Sequence, residues 1–289
     1  MAALANQTDT STLATLLPAI ITEAMFMANE LSIMRGLVRN FSIPAGQGKT
    51  VTVPKYPTVT ASAVTEGDEV TMVPVSTSSV TLTVSTIGVR AFVTDLARVT
   101  AQANVVADIG RLFGEAIARK LDKDLLALFS GFSVGVGTAS PATAGNMNAA
   151  LIAEALAKLR AGSVPADALA CVVHPYVAYD LKKDMTNTFS NPNPGIIQNQ
   201  AMTTGYVGQL FGVPIFESAN LENNGTAGDY VGAVFHRDAL GLALVGDMML
   251  ETQRVAARLG DEIVASMHYA VGELHDAYGI KITADSSIV

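Results

Sequence analysis

Gly131-Phe132-Ser133-Val134-Gly135 is spelled like a nucleophile elbow, the strand-turn-helix corner that exposes a serine hydroxyl for attack on a carbonyl. The surroundings do not suit that chemistry. Helical periodicity precedes the motif and a Gly-, Ala- and Thr-rich stretch follows it. His236-Arg237-Asp238 has the wording of a kinase catalytic loop. No Gly-rich phosphate loop, Val-Ala-Ile-Lys strand or Asp-Phe-Gly accompanies it, so it reads as a polar turn between two strands. The histidines His174, His236, His268 and His275 show no metal-ligand spacing. A single cysteine, Cys171, can build neither a thiolate zinc site nor a disulfide within the chain. Gly135-Val136-Gly137 is too short to cradle a phosphate. Paired carboxylates occur only in turns, at Glu66/Asp68/Glu69 and Asp261/Glu262, where solvation explains them. These residue types point away from an enzyme, a cofactor and a bound metal, and a hydrolase reading would rest on Ser133 alone.

The elements that would position such residues are more informative. Lys49-Thr50-Val51-Thr52-Val53 and Val80-Thr81-Leu82-Thr83-Val84-Ser85 alternate apolar and polar with period two, and Glu66-Gly67-Asp68-Glu69 forms a polar turn between them. They predict an extended β ribbon over 41–93. A two-stranded ribbon is marginal in water by itself. Its apolar face needs cover, and a second copy of the chain is the simplest source. Thr94 then reads as a helix cap. A long amphipathic helix is predicted over 103–130, about 40 Å long at ~1.5 Å per residue. Its stripe is Val105, Ile109, Leu112, Phe113, Ala116, Ile117, Leu121, Leu125 and Leu128; Asp108, Arg111, Glu115, Arg119, Asp122 and Lys123 fall on the other face.

Residues 131–147 read as a linker. An α/β section follows: a helix over 148–161 stopped at Gly162, a buried strand over 168–173 that holds Cys171, and a helix opened by Pro175. The stretch 186–208 is a polar loop rich in Asn, Pro and Gly. Short strands are predicted at 214–217, 231–235 and 240–245, and longer ones at 249–257, 262–270 and 278–283.

Of 289 residues, 49% are apolar and only 15% charged, against about 25% charged in an ordinary soluble chain. A monomer this poor in charge would struggle to cover its surface, which favours an obligate oligomer. The net charge of −8 argues against gripping nucleic acid by phosphate neutralisation, though not against lying beside it. No run approaches the ~18 apolar residues of a membrane span, and the N-terminus lacks the basic and apolar regions of a signal peptide.

In element order and local wording the chain resembles major capsid proteins of tailed phages with the Hong Kong 97-like fold. Ile117-Ala118-Arg119-Lys120-Leu121-Asp122 is similar to the end of that family's spine helix. Val173-His174-Pro175-Tyr176 through Leu181 is similar to its strand-to-helix step in the axial domain. Gly208-Gln209-Leu210-Phe211-Gly212-Val213-Pro214-Ile215 resembles its Gly-x-x-x-Gly-x-Pro-apolar signature, Phe235-His236-Arg237-Asp238-Ala239 its Phe-x-x-x-Ala strand entry, and Glu251-Thr252-Gln253-Arg254 the start of its returning strands.

The resemblance implies an α+β fold: an N-terminal arm (1–40), an extended β-hairpin loop (41–93), a peripheral domain with the spine helix (94–135), an axial α/β domain (136–247) and returning peripheral strands (248–289). It implies a non-enzymatic shell subunit that forms hexamers and pentamers of an icosahedral head around double-stranded DNA. Such a subunit assembles in the bacterial cytoplasm and resides in the virion, without a cofactor or membrane. A separate scaffolding protein is expected, because the chain reaches its arm almost at once; a portal and a decoration protein would be further partners. The acidic ribbon turn, Glu66, Asp68 and Glu69, is expected to meet basic residues of a neighbour, with Arg119, Lys123, Arg254 and Arg258 as candidates. Some members of the family join a ribbon lysine to an asparagine of the returning strands. This chain has Lys49 and Lys55 but no Asn over 249–289, so no such bond is expected. An encapsulin-type nanocompartment shell would share the fold, and the arm before the ribbon favours the phage. An adhesion or tail protein would rest on composition alone.

Overall fold

The computed structural model describes residues 32–44, 46, 48–56, 59, 61–70, 72–100, 105–137, 145–188, 209–221, 223 and 228–288. Most of the expected arm and the stretch 189–208 lie outside the described residues. A short helix α1 (Met34–Leu37) leads into strand β1 (Arg39–Ser42). The ribbon follows as β2 (Thr50–Lys55) and β3 (Ser78–Thr83), paired antiparallel from Thr50↔Thr83 to Lys55↔Ser78. β4 (Ser85–Thr94) comes next, then α2 (Asp95–Thr100), capped as expected by Thr94, whose Oγ1 accepts from the Ala97 N–H at 3.2 Å. The long helix α3 (Val105–Ala127) ends in a 3-10 turn, Leu128–Gly131.

The α/β section comprises β5 (Gly135–Val136), α4 (Ala149–Ala161), β6 (Leu169–Val173), α5 (Pro175–Thr188), β7 (Gln209–Leu210), β8 (Val213–Glu217) and β9 (Tyr230–His236). β10 (Leu240–Leu244), β11 (Met249–Val255), β12 (Gly260–Glu273) and β13 (Gly279–Ala284) complete the chain.

Two larger sheets result. In one, β12 is the axis: β4 runs antiparallel along one edge, β11 and β10 share the other, and β1 adds parallel to β10. The other has the order β5-β13-β9-β6-β8-β7. The expected ribbon therefore ends at Val84. β4 leaves it because its apolar face, Ile87, Val89, Ala91 and Val93, finds cover in the core beside α3. The expected boundary near 247 does not follow the pairing either: β10 lies in the β12 sheet and β13 in the six-stranded sheet. Besides the long passage from β4 through α3 to β5, the chain crosses between the sheets at two short turns, Arg237–Ala239 and 274–278, and there the Leu274 and His275 N–H groups both donate to the Ala239 carbonyl at 2.8 and 3.2 Å.

α3 is buried along Phe113, Ile117, Leu121 and Leu125 and, beside them, Ala118, Asp122, Leu126 and Phe129. That face is rotated from the expected stripe. Leu112 is 62% exposed and Ala116 is exposed, whereas Asp122, expected outside, is 1% exposed. The rotation arises because residues 32–38 lie across the helix and supply both apolar cover, Met34 and Val38, and donors for the carboxylate. Against α3 pack Ile263, Ala265, Met267 and Tyr269 of β12 and, through Phe129 and Phe132, Ala170, Val172, Ala233 and Phe235 of the six-stranded sheet. The opposite face of that sheet meets α4 and α5 through Cys171, Val173, Val234, Ile282, Ile152, Leu156, Leu159 and Leu181. Covered on both faces, β6 is buried throughout, which accounts for its unbroken apolar run.

Gly279 shows how tight the junction is. A Cβ there would lie 2.1 Å from Phe132 Cζ, and Phe132 is fully buried against Phe129. Its φ needs no glycine, so space alone requires one. Gly279→Ala is expected to cost about 1–3 kcal/mol by overpacking, read as a lowered urea midpoint of unfolding.

Candidate assembly surface

Beyond Lys55 and Ser78 no ladder joins the two arms of the ribbon among the described residues. A turn closes its far end, where the Asp68 N–H donates to the Thr65 carbonyl at 3.0 Å and Gly67 takes a positive φ of 94°. This outer part displays Tyr56, Val59, Val64, Val70, Met72, Val73 and Val75 to solvent, Met72 at 91% exposure. Its only charges are Glu66, Asp68 and Glu69, all exposed. Exposed apolar side chains gathered on one projecting segment make it a candidate interaction surface. The root of the ribbon differs. Leu82 and Val84 are buried with Ile43, Ala243, Ala270 and Leu274, so the chain itself covers the root of the ribbon, and only the outer part lacks the cover that its alternation asked for.

The basic candidates occupy two other places. Arg119 and Lys123 stand on the exposed side of α3, where Arg119 pairs with Glu115 one turn earlier. Arg254 and Arg258 flank the β11–β12 turn. Arg254 donates from Nη1 and Nη2 to the two Asp95 oxygens at 2.6 and 2.7 Å and lies 3.6 Å from Asp261. Hydrogen bonds to Asp95 and the charges of both carboxylates hold its pKa above the ordinary guanidinium value. It is thus already engaged as a strut between β11 and the start of α2. Arg258 lies over the Phe92 ring, 6.0 Å from its centroid.

The residues that looked like chemistry have structural partners. The Ser133 hydroxyl donates to Asp276 Oδ2 and its N–H donates to Oδ1 at 2.8 Å. A carboxylate, not an imidazole, receives its proton, and the pair clamps the turn after α3 to the second short crossing between the sheets. Burial pushes the Asp276 pKa up, but the bonds from Ser133, a bond with Glu273 and the charge of Lys55 outweigh it and hold the carboxyl below its usual range. Burial and the Asp276 charge push Glu273 the other way. His236 accepts the Asp238 N–H on Nδ1 at 3.2 Å, as in a capped turn, and its ring edge meets Tyr278 with centroids 5.7 Å apart. Its buried Nε2 has no hydrogen-bond partner. His174 stacks on Tyr230 with centroids 3.8 Å apart, and burial lowers its pKa. Cys171 is fully buried and its thiol is pushed up to about 12, an inert packing group. Among the described residues no cluster of His, Cys, Asp and Glu could hold a metal ion. None of their helices is long and apolar enough to cross a membrane.

Sequence reasoning missed Asp122. Its carboxylate accepts from Ser32 Oγ at 2.8 Å, the Ile33 N–H at 3.2 Å and the Met34 N–H at 3.3 Å. It caps α1 from a distant helix and fastens the end of the arm segment to α3. The signal available was a carboxylate one position from the apolar stripe, which periodicity alone places outside.

Burial outweighs those three donors and raises the Asp122 pKa. A carboxyl with a raised folded-state pKa favours the docked state below the ordinary carboxylate range and loses that contribution as pH rises through its own pKa. Protection of the 33–38 amides from hydrogen exchange is therefore expected to be greater in mild acid than at neutral pH. Asp122→Asn should flatten this dependence; an unchanged pH profile in the variant would refute the assignment.

The comparisons with known proteins agree with this geometry. The family model described as phage capsid protein matches residues 77–282. No curated protein matches the chain. Among solved structures, one of Mycobacterium phage Che8 superposes with a TM-score of 0.65 at 21% identity, over 82% of this chain and 85% of that one. The capsid structure of cyanophage P-SCSP1u gives 0.68 at 19% identity, over 89% of each chain. An acid-stable capsid structure of Helicobacter pylori bacteriophage KHP30 gives 0.69 at 13% identity, over 88% of this chain and 91% of that one.

Proposed function

The chain belongs to the phage capsid protein family, and from that premise we infer that it is the major capsid protein of a tailed phage, one subunit of a closed icosahedral shell built from hexamers and pentamers. The observation that carries this reading is the outer ribbon, rich in exposed apolar side chains and without a ladder among its described residues, on a subunit whose two sheets are packed about α3. A neighbouring copy would cover it. Contacts of one patch on a different patch close into rings when the rotation closes, and per-subunit burial is expected in the obligate class, above ~2,000 Å². The sheet built on β12 with α3 corresponds to a peripheral domain and the six-stranded sheet with α4 and α5 to an axial one.

The subunit's work is structural, without catalysis or a cofactor. Its place is the virion, reached by assembly in the host cytoplasm with a separate scaffolding protein and a portal, and a decoration protein as a further partner. Packaged DNA would lie beside the shell without a specific grip, consistent with the acidic net charge. Negative-stain imaging of the purified chain tests the reading: rings, tubes or closed shells support it, since a missing scaffolding protein alters closure and not the contacts between copies, and a stable monomer at high concentration overturns it.

The acidic turn of the ribbon would meet basic residues of a neighbour. Arg119, Lys123, Arg254 and Arg258 are the candidates; Arg119 would have to exchange Glu115, and Arg254 its bidentate bonds to Asp95, to make the contact. Each exposed pair contributes only ~0–1 kcal/mol, repeated at every copy. Reversing Glu66, Asp68 and Glu69 together to Lys is expected to lower shell yield and the shell's melting temperature; unchanged values would remove the charge contact from the model.

Cohesion would come from apolar burial, ~25 cal/mol per Å², and from contacts between subunits, not from lysine–asparagine bonds. Particles boiled in denaturant are expected to run on a gel as one band at the monomer mass, and a ladder resistant to reducing agent would contradict this.

A further inference from the structure

Gly241 of β10 and Gly272 of β12 stand opposite each other in the antiparallel ladder. Facing residues in such a ladder project to the same side of the sheet, so the pair leaves a bare patch of backbone. Leu82 of the ribbon comes down on it. Leu82 is 2% exposed, and a Cβ on Gly272 would lie 2.4 Å from its Cδ2. Leu274 fills the adjoining space, with its Cδ2, Cδ1 and Cγ at 3.0, 3.1 and 3.1 Å from where a Cβ on Gly241 would stand. Neither glycine has a left-handed backbone, and both lie inside strands, where glycine is disfavoured and marks a close approach. Room for the two leucines is what these positions require.

Its other fastening is at the foot, where Val84, 8% exposed, enters the same core and the chain runs on into β4. Among the described residues β2 and β3 pair only with each other, and no ladder joins them to either larger sheet. Their pose rests on side chains, and Leu82 is the most buried of those in the two strands; Val51, Val53 and Val80 are only partly buried. Lys55 adds its charge, which favours the ionised Glu273 and Asp276 carboxyls. A small rotation at the root becomes a large displacement at the acidic turn.

We propose that Leu82, seated in the Gly241–Gly272 notch, is a latch that sets the direction in which the outer ribbon leaves the subunit, and that a neighbouring copy is met in register only while this latch is closed. The second half of the proposal rests on the capsid reading; the first does not.

The test is Gly272→Val, alone and together with Leu82→Ala. Valine suits a strand, so the β12 ladder is not weakened by propensity, and the double variant leaves the number of side-chain carbons in the notch unchanged. Hydrogen exchange on the full chain reads the latch; particle formation reads its consequence. In Gly272→Val the β2 and β3 amides should lose protection by about tenfold or more while the β4–β12 ladder keeps its own, and shell yield should fall by a similar factor. The double variant should restore both. Wild-type exchange and shells in Gly272→Val would overturn the latch. So would a double variant no better than the single one, including the case where protection is lost throughout β12. If the unaltered chain forms no rings, tubes or shells and stays a monomer at high concentration, the capsid reading fails, and the exchange data still decide the latch.

Discussion

The apolar side of α3 is the shared wall on which this subunit is built. One length of helix meets β12 through Ile263, Ala265, Met267 and Tyr269, and its end meets the six-stranded sheet through Phe129, Phe132 and Phe235. Burying the wall fixes the relation of the two sheets, because a close-packed interior resists a shift of one layer without the others. The Tyr269 hydroxyl, donating to Asp124 Oδ2 at 2.6 Å, ties the buried centre of β12 to the helix. Burial and that carboxylate raise the Tyr269 pKa, so the phenol stays protonated and keeps its bond.

With the body settled by that wall, the ribbon is what remains incomplete. Its root shares a small core with β10 and β12, yet its outer half carries valines, a tyrosine and a methionine into solvent. A folded monomer gains nothing from this arrangement. An assembled one does, since each copy can cover the next, and the charge-poor composition points the same way. The body supplies a rigid mount and the ribbon supplies reach, and the glycine notch is where the two meet.

Residues that looked catalytic turn out to hold the crossings between sheets. Ser133 and Asp276 clamp the end of α3 to the turn before β13, and His236 and Asp238 shape the turn before β10. Arg39 reaches Asp238 at 3.3 Å, and Arg237 Nε reaches the Val38 carbonyl at 3.4 Å. Residues 38–39, the end of α3 and both short crossings thus come together in one region, where a polar group that failed to find its partner would be costly.

The local periods in the sequence determined the elements. Period-two alternation marked β2, β3 and the later strands, period 3.6 marked α3 and α4, and the Gly67 turn, the Thr94 cap and the stop at Gly162 could be read from a few adjacent residues. Periodicity placed Asn148 inside the helix, whereas its Oδ1 caps it, accepting the Leu151 N–H at 2.9 Å. Low charge marked the need for partners. Only the tertiary structure decided the rotation of α3 that buries Asp122 and exposes Leu112, the exchange of β10 and β13 between sheets, the pairing of Arg254 with Asp95 across 159 positions, and the use of Gly241 and Gly272 as a seat for Leu82. Each of these depends on which distant segment lies against a face. A periodic pattern records that a face is apolar, and only the packed chain determines what covers it.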